Sequence, residues 1–152
     1  MKIPFLSRFT GGNTPTTPFK ITYASAVSGP QRDRFGAVLK GILGELPELL
    51  AVSVIDLRSG ELLATHHLPG KHDPAKAAPY NAEVIRQQQQ ALQALGLTTA
   101  EAIEDVLITL GTQWHVLRLL PGQRQFVHLM VSQRDANLAL AREVLRAQTA
   151  AG

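Results

Sequence analysis

The segment from Asp105 to Leu145 constrains the fold more than any other stretch, because it holds three short apolar runs separated by tight turns. These runs predict strands over Val106–Leu110, Trp114–Leu120 and Phe126–Val131. Pro121-Gly122 predicts a turn, because proline presets φ and glycine tolerates positive φ. The third run is apolar on both of its faces, which predicts a central strand in a sheet that is covered on each side.

A helix is predicted directly after the third strand. Apolar residues there recur at helical spacing instead of alternating, at Leu138, Ala141, Val144 and Leu145. Asp135 precedes them and is predicted to cap the helix by accepting backbone N–H bonds at its start. The last third of the chain is therefore predicted to be a strand meander followed by a capped amphipathic helix.

A helix and a hairpin are predicted in the first half of the chain. Arg32–Leu46 carries an apolar stripe at helical spacing, and Pro47 ends it. Leu49–Asp56 and Glu61–Thr65 then have the composition of two strands joined by a short glycine-containing turn.

A loop and a second helix are predicted between this hairpin and the meander. Residues 66–80 contain three prolines and three histidines, a composition that favours a loop. Asn81 is predicted to cap a helix over Ala82–Leu95, which ends at Gly96. Gln88 lies on the apolar stripe of this helix. A polar residue there indicates a face that meets another protein surface.

Two stretches, AVSVIDLRSGELLA and VSQRDANLALAREVL, resemble the first hairpin and the C-terminal half of the roadblock/dynein light-chain family. The likeness is closest to its bacterial members, which include regulators of small Ras-like GTPases, and it covers roughly residues 32–147. The family order α-β-β-α-β-β-β-α is the order predicted here. The resemblance implies an α/β (α+β) profilin-like fold. In that fold a five-stranded antiparallel sheet is sandwiched by helices, one on one face and two on the other.

The resemblance also implies a homodimer that forms through the edge of the third strand and the second helix. An apolar edge strand left unpaired would invite aggregation, and pairing two copies about a twofold axis removes that hazard. The residues predicted to form this interface are Val84, Gln88, Ala91, Leu92, Leu95, Val106, Ile108 and Leu110.

The function implied by the resemblance is a homodimeric platform that binds a small Ras-like GTPase and modulates its nucleotide cycle. Such a platform changes the active site of its partner and is not itself an enzyme. Side chains of suitable chemistry for contacting the GTPase are Arg86, Gln87, Gln90 and Arg118. The alternative is a scaffold or small-molecule-sensing domain with no GTPase partner, which requires a pocket lined by Trp114 and His128.

No residue pattern predicts catalysis, a metal site or a cofactor site. The chain has no cysteine and none of the common nucleophile or zinc-protease motifs. His66, His67 and His72 would serve a metal-dependent enzyme, a third alternative, but their spacing matches no zinc motif and a solvated loop is the expectation. His115 and His128 lie on predicted strands and are expected to be packed and hydrogen-bonded.

The net charge of +3 lies in the first thirty residues, which carry Lys2, Arg8 and Lys20 and no acid. From residue 31 on, twelve basic residues balance twelve acidic ones, so the predicted domain lacks the basic face that nucleic-acid binding requires. Residues 1–30 are predicted to form an arm or linker in which Phe19–Tyr23 alternates like a strand, and residues 31–150 to form the roadblock-like domain. No apolar run is long enough to span a membrane, and a cytoplasmic protein is expected.

Overall fold

Residues 19–70 and 72–150 are the part of the chain that this computed structural model describes, and they form six strands and three helices. The strands are β1 (Thr22–Tyr23), β2 (Ala51–Asp56), β3 (Leu62–His67), β4 (Asp105–Thr109), β5 (Gln113–Leu119) and β6 (Gln125–Ser132). The helices are α1 (Gly29–Glu45), α2 (Pro74–Ala94) and α3 (Leu138–Thr149). None of the helices in these ranges is long and apolar enough to cross a bilayer.

The strands form one antiparallel sheet in the order β1-β3-β2-β6-β5-β4. β6 lies between β2 and β5, and its residues from Phe126 to Val131 are buried, so the predicted central strand is confirmed. The predicted number of five strands was wrong by one. The sixth is β1, in which Thr22 and Tyr23 pair with Thr65 and Ala64 of β3. It comes from the alternating Phe19–Tyr23 segment, while residues 1–18 lie outside the described ranges.

One helix covers one face of the sheet and two helices cover the other, as the resemblance implied. α1 and α3 share a core with one set of strand residues, among them Phe35, Leu39, Val127, Leu129 and Leu145. α2 packs on the opposite set, with Ala78, Ala82 and Ile85 against Ile55, Leu117 and Phe126. We call these the two-helix face and the α2 face.

Two glycines of α1 allow close contacts on the two-helix face. A Cβ on Gly36 would lie 2.5 Å from the hydroxyl oxygen of Tyr23, and one on Gly41 would collide with Gln148 of α3. Glycine lowers the stability of a helix interior, and here that loss is offset by close packing against β1 and α3. The capping box of Ser28 and Gln31 fixes the start of the same helix.

The predicted loop over residues 66–80 was wrong at both ends. His66 and His67 belong to β3, and α2 begins at Pro74 instead of Ala82. The N-cap is Asp73, whose Oδ1 accepts from the Ala75 N–H at 3.0 Å, and not Asn81. The prolines of this stretch were read as loop residues. Proline also suits the first position of a helix, which is where Pro74 lies.

The predicted cap of the last helix was also wrong. Asn137 caps α3, with its Oδ1 accepting from the Leu140 N–H at 3.1 Å, while Asp135 lies in the preceding turn. Both residue types can cap, and the residue directly before the first helical turn takes that position.

Candidate interaction surface

Within residues 19–70 and 72–150, no other segment buries the second half of α2. The buried residues of α2 end at Ile85, and between Arg86 and Ala94 no side chain is buried. Ala91 is exposed on this stretch, and Leu95, which follows it, has 70% of its surface exposed. A helix with apolar residues and no core beneath them is an unusual surface for a monomer.

The edge strand β4 lies at the opposite end of the sheet from β1 and pairs only with β5. Val106 and Ile108 point to the α2 face and are partly buried there. α2 itself lies mainly over β2 and β3, so none of the described helices lies over much of the β4 end of this face. Leu110, just after β4, is 45% exposed.

None of the eight residues predicted to form a dimer interface is buried within the single chain. Five are exposed and three are partly buried: Val84, Gln88, Ala91, Leu95 and Leu110 in the first group, Leu92, Val106 and Ile108 in the second. Sequence reasoning missed Tyr80, which is 74% exposed, because it fell in the region assigned to a loop. It also missed Leu107, whose exposed side chain lies on the other side of β4.

A chain of polar side chains runs from the surface into the α2 face. Asn81 Nδ2 and His128 Nδ1 are 3.3 Å apart, and His128 Nε2 and His115 Nδ1 are 3.2 Å apart. His115 Nε2 is 2.9 Å from Gln113 Oε1, and Gln113 Nε2 is 3.1 Å from His72 Nε2. The prediction that His115 and His128 are packed and hydrogen-bonded is confirmed.

One assignment of protons satisfies all four of these hydrogen bonds. Each group donates to the next when Asn81 begins the chain and both strand histidines carry their proton on Nε2. That assignment requires neutral histidines. Burial and the neighbouring His115 lower the pKa of His128 to about 3, and burial and His72 lower the pKa of His115. The polar chain thus joins α2 to the centre of the sheet without a buried charge.

Arg86 is held against the body of the domain. Its Nη1 donates to the carbonyl oxygens of Leu57 at 2.7 Å and Arg58 at 3.3 Å. Its guanidinium also pairs with Glu83, which in turn accepts from Gln87 Nε2 at 2.7 Å. These hydrogen bonds, from Gln87 first and Arg86 second, lower the pKa of Glu83.

Arg118 lies on the two-helix face, across the sheet from Arg86. Its Nη1 is 3.5 Å from the Asp105 carboxylate and 3.8 Å from that of Glu104. Arg142 of α3 binds the same Asp105 at 3.0 Å. The four predicted GTPase contacts are therefore not brought together: Arg86, Gln87 and the exposed Gln90 lie on α2, and Arg118 does not.

The predicted ligand pocket lined by both Trp114 and His128 is not present in the structure. Trp114 packs against the core of the two-helix face, while His128 faces Asn81 beneath α2, so no single pocket can be lined by both. The other histidines are dispersed: His66 Nδ1 lies 2.9 Å from the Lys20 carbonyl oxygen, and His72 bonds Gln113. Within residues 19–70 and 72–150, no three metal-ligating side chains lie together.

Comparison with known proteins gives matches among solved structures only. No protein-family model and no curated protein sequence matches the chain. MglB of Myxococcus xanthus is similar at 14% identity over 76% of this chain and 89% of that one, with a TM-score of 0.64.

Two further structures agree with the first. The gliding protein MglB of Thermus thermophilus matches at 15% identity over 78% of this chain and 87% of that one, with a TM-score of 0.63. A roadblock domain from Streptomyces avermitilis matches at 13% identity over 75% and 90%, with a TM-score of 0.61. At such identities the likeness concerns the fold. The chain has a bacterial roadblock-type fold that resembles the fold of MglB.

Proposed function

We propose that the chain is a homodimeric, non-catalytic platform that binds a small Ras-like GTPase and modulates its nucleotide cycle. The observation that carries the proposal is the uncovered second half of α2, together with the unpaired edge strand β4 of the same sheet, within a roadblock-type fold. The bacterial roadblock proteins that the sequence resembles include regulators of such GTPases. The proposed site of action is the cytoplasm.

The first step of the proposal is the dimer. An unpaired strand edge presents a row of backbone N–H and C=O groups, and a second β4 running antiparallel about a twofold axis would satisfy them. The same arrangement would bring a helix of the second copy over Val106 and Ile108, two partly buried apolar residues of the α2 face. Burying one exposed leucine such as Leu95 contributes about 1.5–3 kcal/mol.

The second step is the GTPase surface. Once the apolar residues of α2 are paired with the second copy, the polar side of the helix, with Gln87 and Gln90, remains open to a partner. Arg86 is a positioning residue in this proposal, because its guanidinium fixes α2 to the turn after β2. Arg118 would not contact the GTPase directly, since its guanidinium pairs with Glu104 and Asp105 at β4. Its effect on the GTPase would be through the position of β4.

Light scattering after size exclusion tests the dimer. We expect the wild-type protein to elute at twice its monomer mass of 16.5 kDa and Leu95→Glu to shift toward the monomer. Leu140→Glu is the matched control, because Leu140 is an exposed leucine of α3, 49% accessible, outside the proposed interface. A wild-type monomer at 100 µM, or loss of the dimer in both variants, would contradict the interface.

Affinity capture from host lysate tests the GTPase. The tagged protein is immobilised and incubated with lysate that contains GDP and, in a separate sample, with lysate that contains a non-hydrolysable GTP analogue. We expect one small GTPase to be retained preferentially with one nucleotide, and Gln87→Ala with Gln90→Ala to reduce its retention. A well-folded dimer that retains no GTPase in either arm would favour the scaffold alternative.

A further inference from the structure

We propose that a cleft lined by three arginines at one end of the domain binds a compact polyphosphate group. The cleft has a volume of about 680 Å³ and is lined by Asp56, Leu57, Arg58, Arg86, Gln89, Gln123, Arg124 and Gln125. We call it the arginine cleft. This inference goes beyond the proposed function and does not depend on a GTPase partner.

The three arginines come from separate segments that hydrogen bonds hold together. Arg58 lies in the turn between β2 and β3, Arg124 in the turn between β5 and β6, and Arg86 on α2. The Leu57 N–H donates to the Arg124 carbonyl oxygen at 2.9 Å, which joins the two turns. Arg86 Nη1 joins α2 to the first turn through the Leu57 and Arg58 carbonyls. The walls of the cleft are thus built in advance of any ligand.

The cleft carries positive charge that the described residues do not fully neutralise. Three arginines against Asp56 give +2, and the Glu83 partner of Arg86 lowers the sum to +1. Among residues 19–70 and 72–150, Arg58 and Arg124 have no carboxylate within ion-pair distance, whereas Arg118 has two and Arg142 and Arg146 have one each. Asp56 directs its Oδ1 to Ser59, accepting from the backbone N–H at 2.8 Å and the hydroxyl at 3.0 Å.

The lining chemistry selects phosphate oxygens. Guanidinium groups form paired hydrogen bonds with phosphate, and the three glutamine side chains can add neutral amide donors. No aromatic side chain lines the cleft, so it offers no aromatic platform for a nucleobase. The expected ligand is therefore recognised by its phosphates, whether it is free pyrophosphate or the diphosphate end of a nucleotide.

The backbone of the cleft wall carries a further mark of a functional site. Gln123 is the only residue other than glycine with positive φ, at 60°, in the described ranges. It follows Gly122, and its N–H donates to the Leu120 carbonyl oxygen at 3.0 Å to close the turn. Non-glycine residues in this region cluster at binding sites. Here the strained turn sets Gln123 and Arg124 on the wall of the cleft.

Isothermal titration at 0.15 M salt tests the inference, because that ionic strength screens non-specific attraction between exposed charges. The probes are inorganic pyrophosphate, ADP and orthophosphate. We expect pyrophosphate and ADP to bind within a few-fold of each other and orthophosphate to bind at least tenfold more weakly. The variants Arg58→Gln and Arg124→Gln, singly and together, should weaken pyrophosphate binding, the pair by at least tenfold.

Arg134→Gln is the matched control, since it removes one exposed arginine just past the opposite end of β6 from the cleft residues. It should leave the pyrophosphate affinity within twofold of wild type. Absence of binding at millimolar pyrophosphate, or equal weakening by the control, would overturn the proposal. Binding of ADP alone would also overturn it, because that result would mean recognition of the nucleoside. Thermal melting of each variant verifies that the exposed substitutions leave the fold intact.

Discussion

The two faces of the sheet differ in how completely helices cover them and in how many apolar residues they bury. On the two-helix face, α1 and α3 contribute fully buried residues such as Phe35, Leu39 and Leu145 to a continuous apolar core. On the α2 face, a single helix supplies Ala78, Ala82 and Ile85, and its second half has no buried side chain. Polar groups also lie beneath α2, where His128 and Ser53 are buried.

This difference bears on how much each face contributes to stability. A dry, well-packed face contributes most, because burial of apolar surface is the main favourable term in folding. A face with a polar chain at its centre and exposed apolar residues at its margin buries less apolar surface, and we expect it to contribute less. Four changes test the contrast, from the largest expected effect to the smallest.

Matched truncations on the two faces should differ in their effect on the free energy of unfolding. Leu39 and Ile85 are both fully buried, the first on α1 and the second on α2. Core truncations of this type lose about 2–5 kcal/mol, with the largest losses where the surroundings cannot collapse. We expect Leu39→Ala near the upper end and Ile85→Ala near the lower end in urea denaturation. Equal losses would show that the two faces are packed alike.

Acid should destabilise the protein through the α2 face. Because the pKa of His128 falls from 6.5 to about 3 on folding, the unfolded chain binds more protons between these values. The contribution of His128 to the free energy of unfolding is fully present above pH 6.5 and declines as the pH falls toward 3. Between pH 7 and 4.5 the loss is roughly 2–3 kcal/mol, since one pKa unit corresponds to about 1.4 kcal/mol.

The groups that face His128 are Asn81, His115 and Ser53, and none of them is a carboxylate. Urea denaturation of wild type and His128→Gln at pH 7 and pH 4.5 measures the effect. The variant should lose most of the difference between the two pH values. An unchanged difference would assign the acid sensitivity to other groups.

Removing the α2 end of the polar chain should have an intermediate effect. Asn81→Ala leaves Nδ1 of the buried His128 without its hydrogen-bond donor. An unsatisfied buried polar atom costs about 1–3 kcal/mol. Gln93→Ala, at an exposed position of the same helix outside the proposed dimer interface, is the control and should change stability by less than about 0.5 kcal/mol. Similar losses in both would mean that the Asn81 hydrogen bond adds no stability.

The smallest effect is expected where β4 meets the two-helix face. Asp105→Asn weakens the ion pairs with Arg118 and Arg142 that connect the edge strand to α3. Because Arg142 is half exposed, solvent screens its pair, and the expected loss is about 1 kcal/mol or less. Thermal melting at low and high salt measures it. A loss above the one for Asn81→Ala would reverse the order proposed for the two faces.

Much of the fold follows from local sequence. The central strand β6 could be predicted because its residues are apolar on both faces, and α1 could be predicted from one apolar stripe. Features that depend on pairing at a distance could not. β1 is two residues long and becomes a strand only because β3 offers it an edge. The start of α2 was missed because Pro74 and Pro79 resemble loop residues until the helix is seen to contain them.

The site shows the same limit. The eight residues predicted for a dimer interface were placed on the second helix and the third strand through the resemblance, and in the structure each keeps some exposure. The pairing of Trp114 with His128 failed because successive side chains of a strand point to opposite faces, and Leu117, which lies opposite His128, is three residues from Trp114. The arginine cleft was missed altogether. Its members are far apart in sequence and meet only after the two turns and α2 are joined by hydrogen bonds.

The short strand β1 also bears on how far such chains can assemble. It occupies the β3 edge with two residues, and Phe19 lies edge-on against His66 beside it. The sheet is thus left with a long free edge at one end and a blunted one at the other. In the proposed dimer joined at β4, the described residues would place the two-residue strand β1 at each outer end of the joined sheet. A third copy would find little edge to pair with there, so growth by edge pairing would be disfavoured.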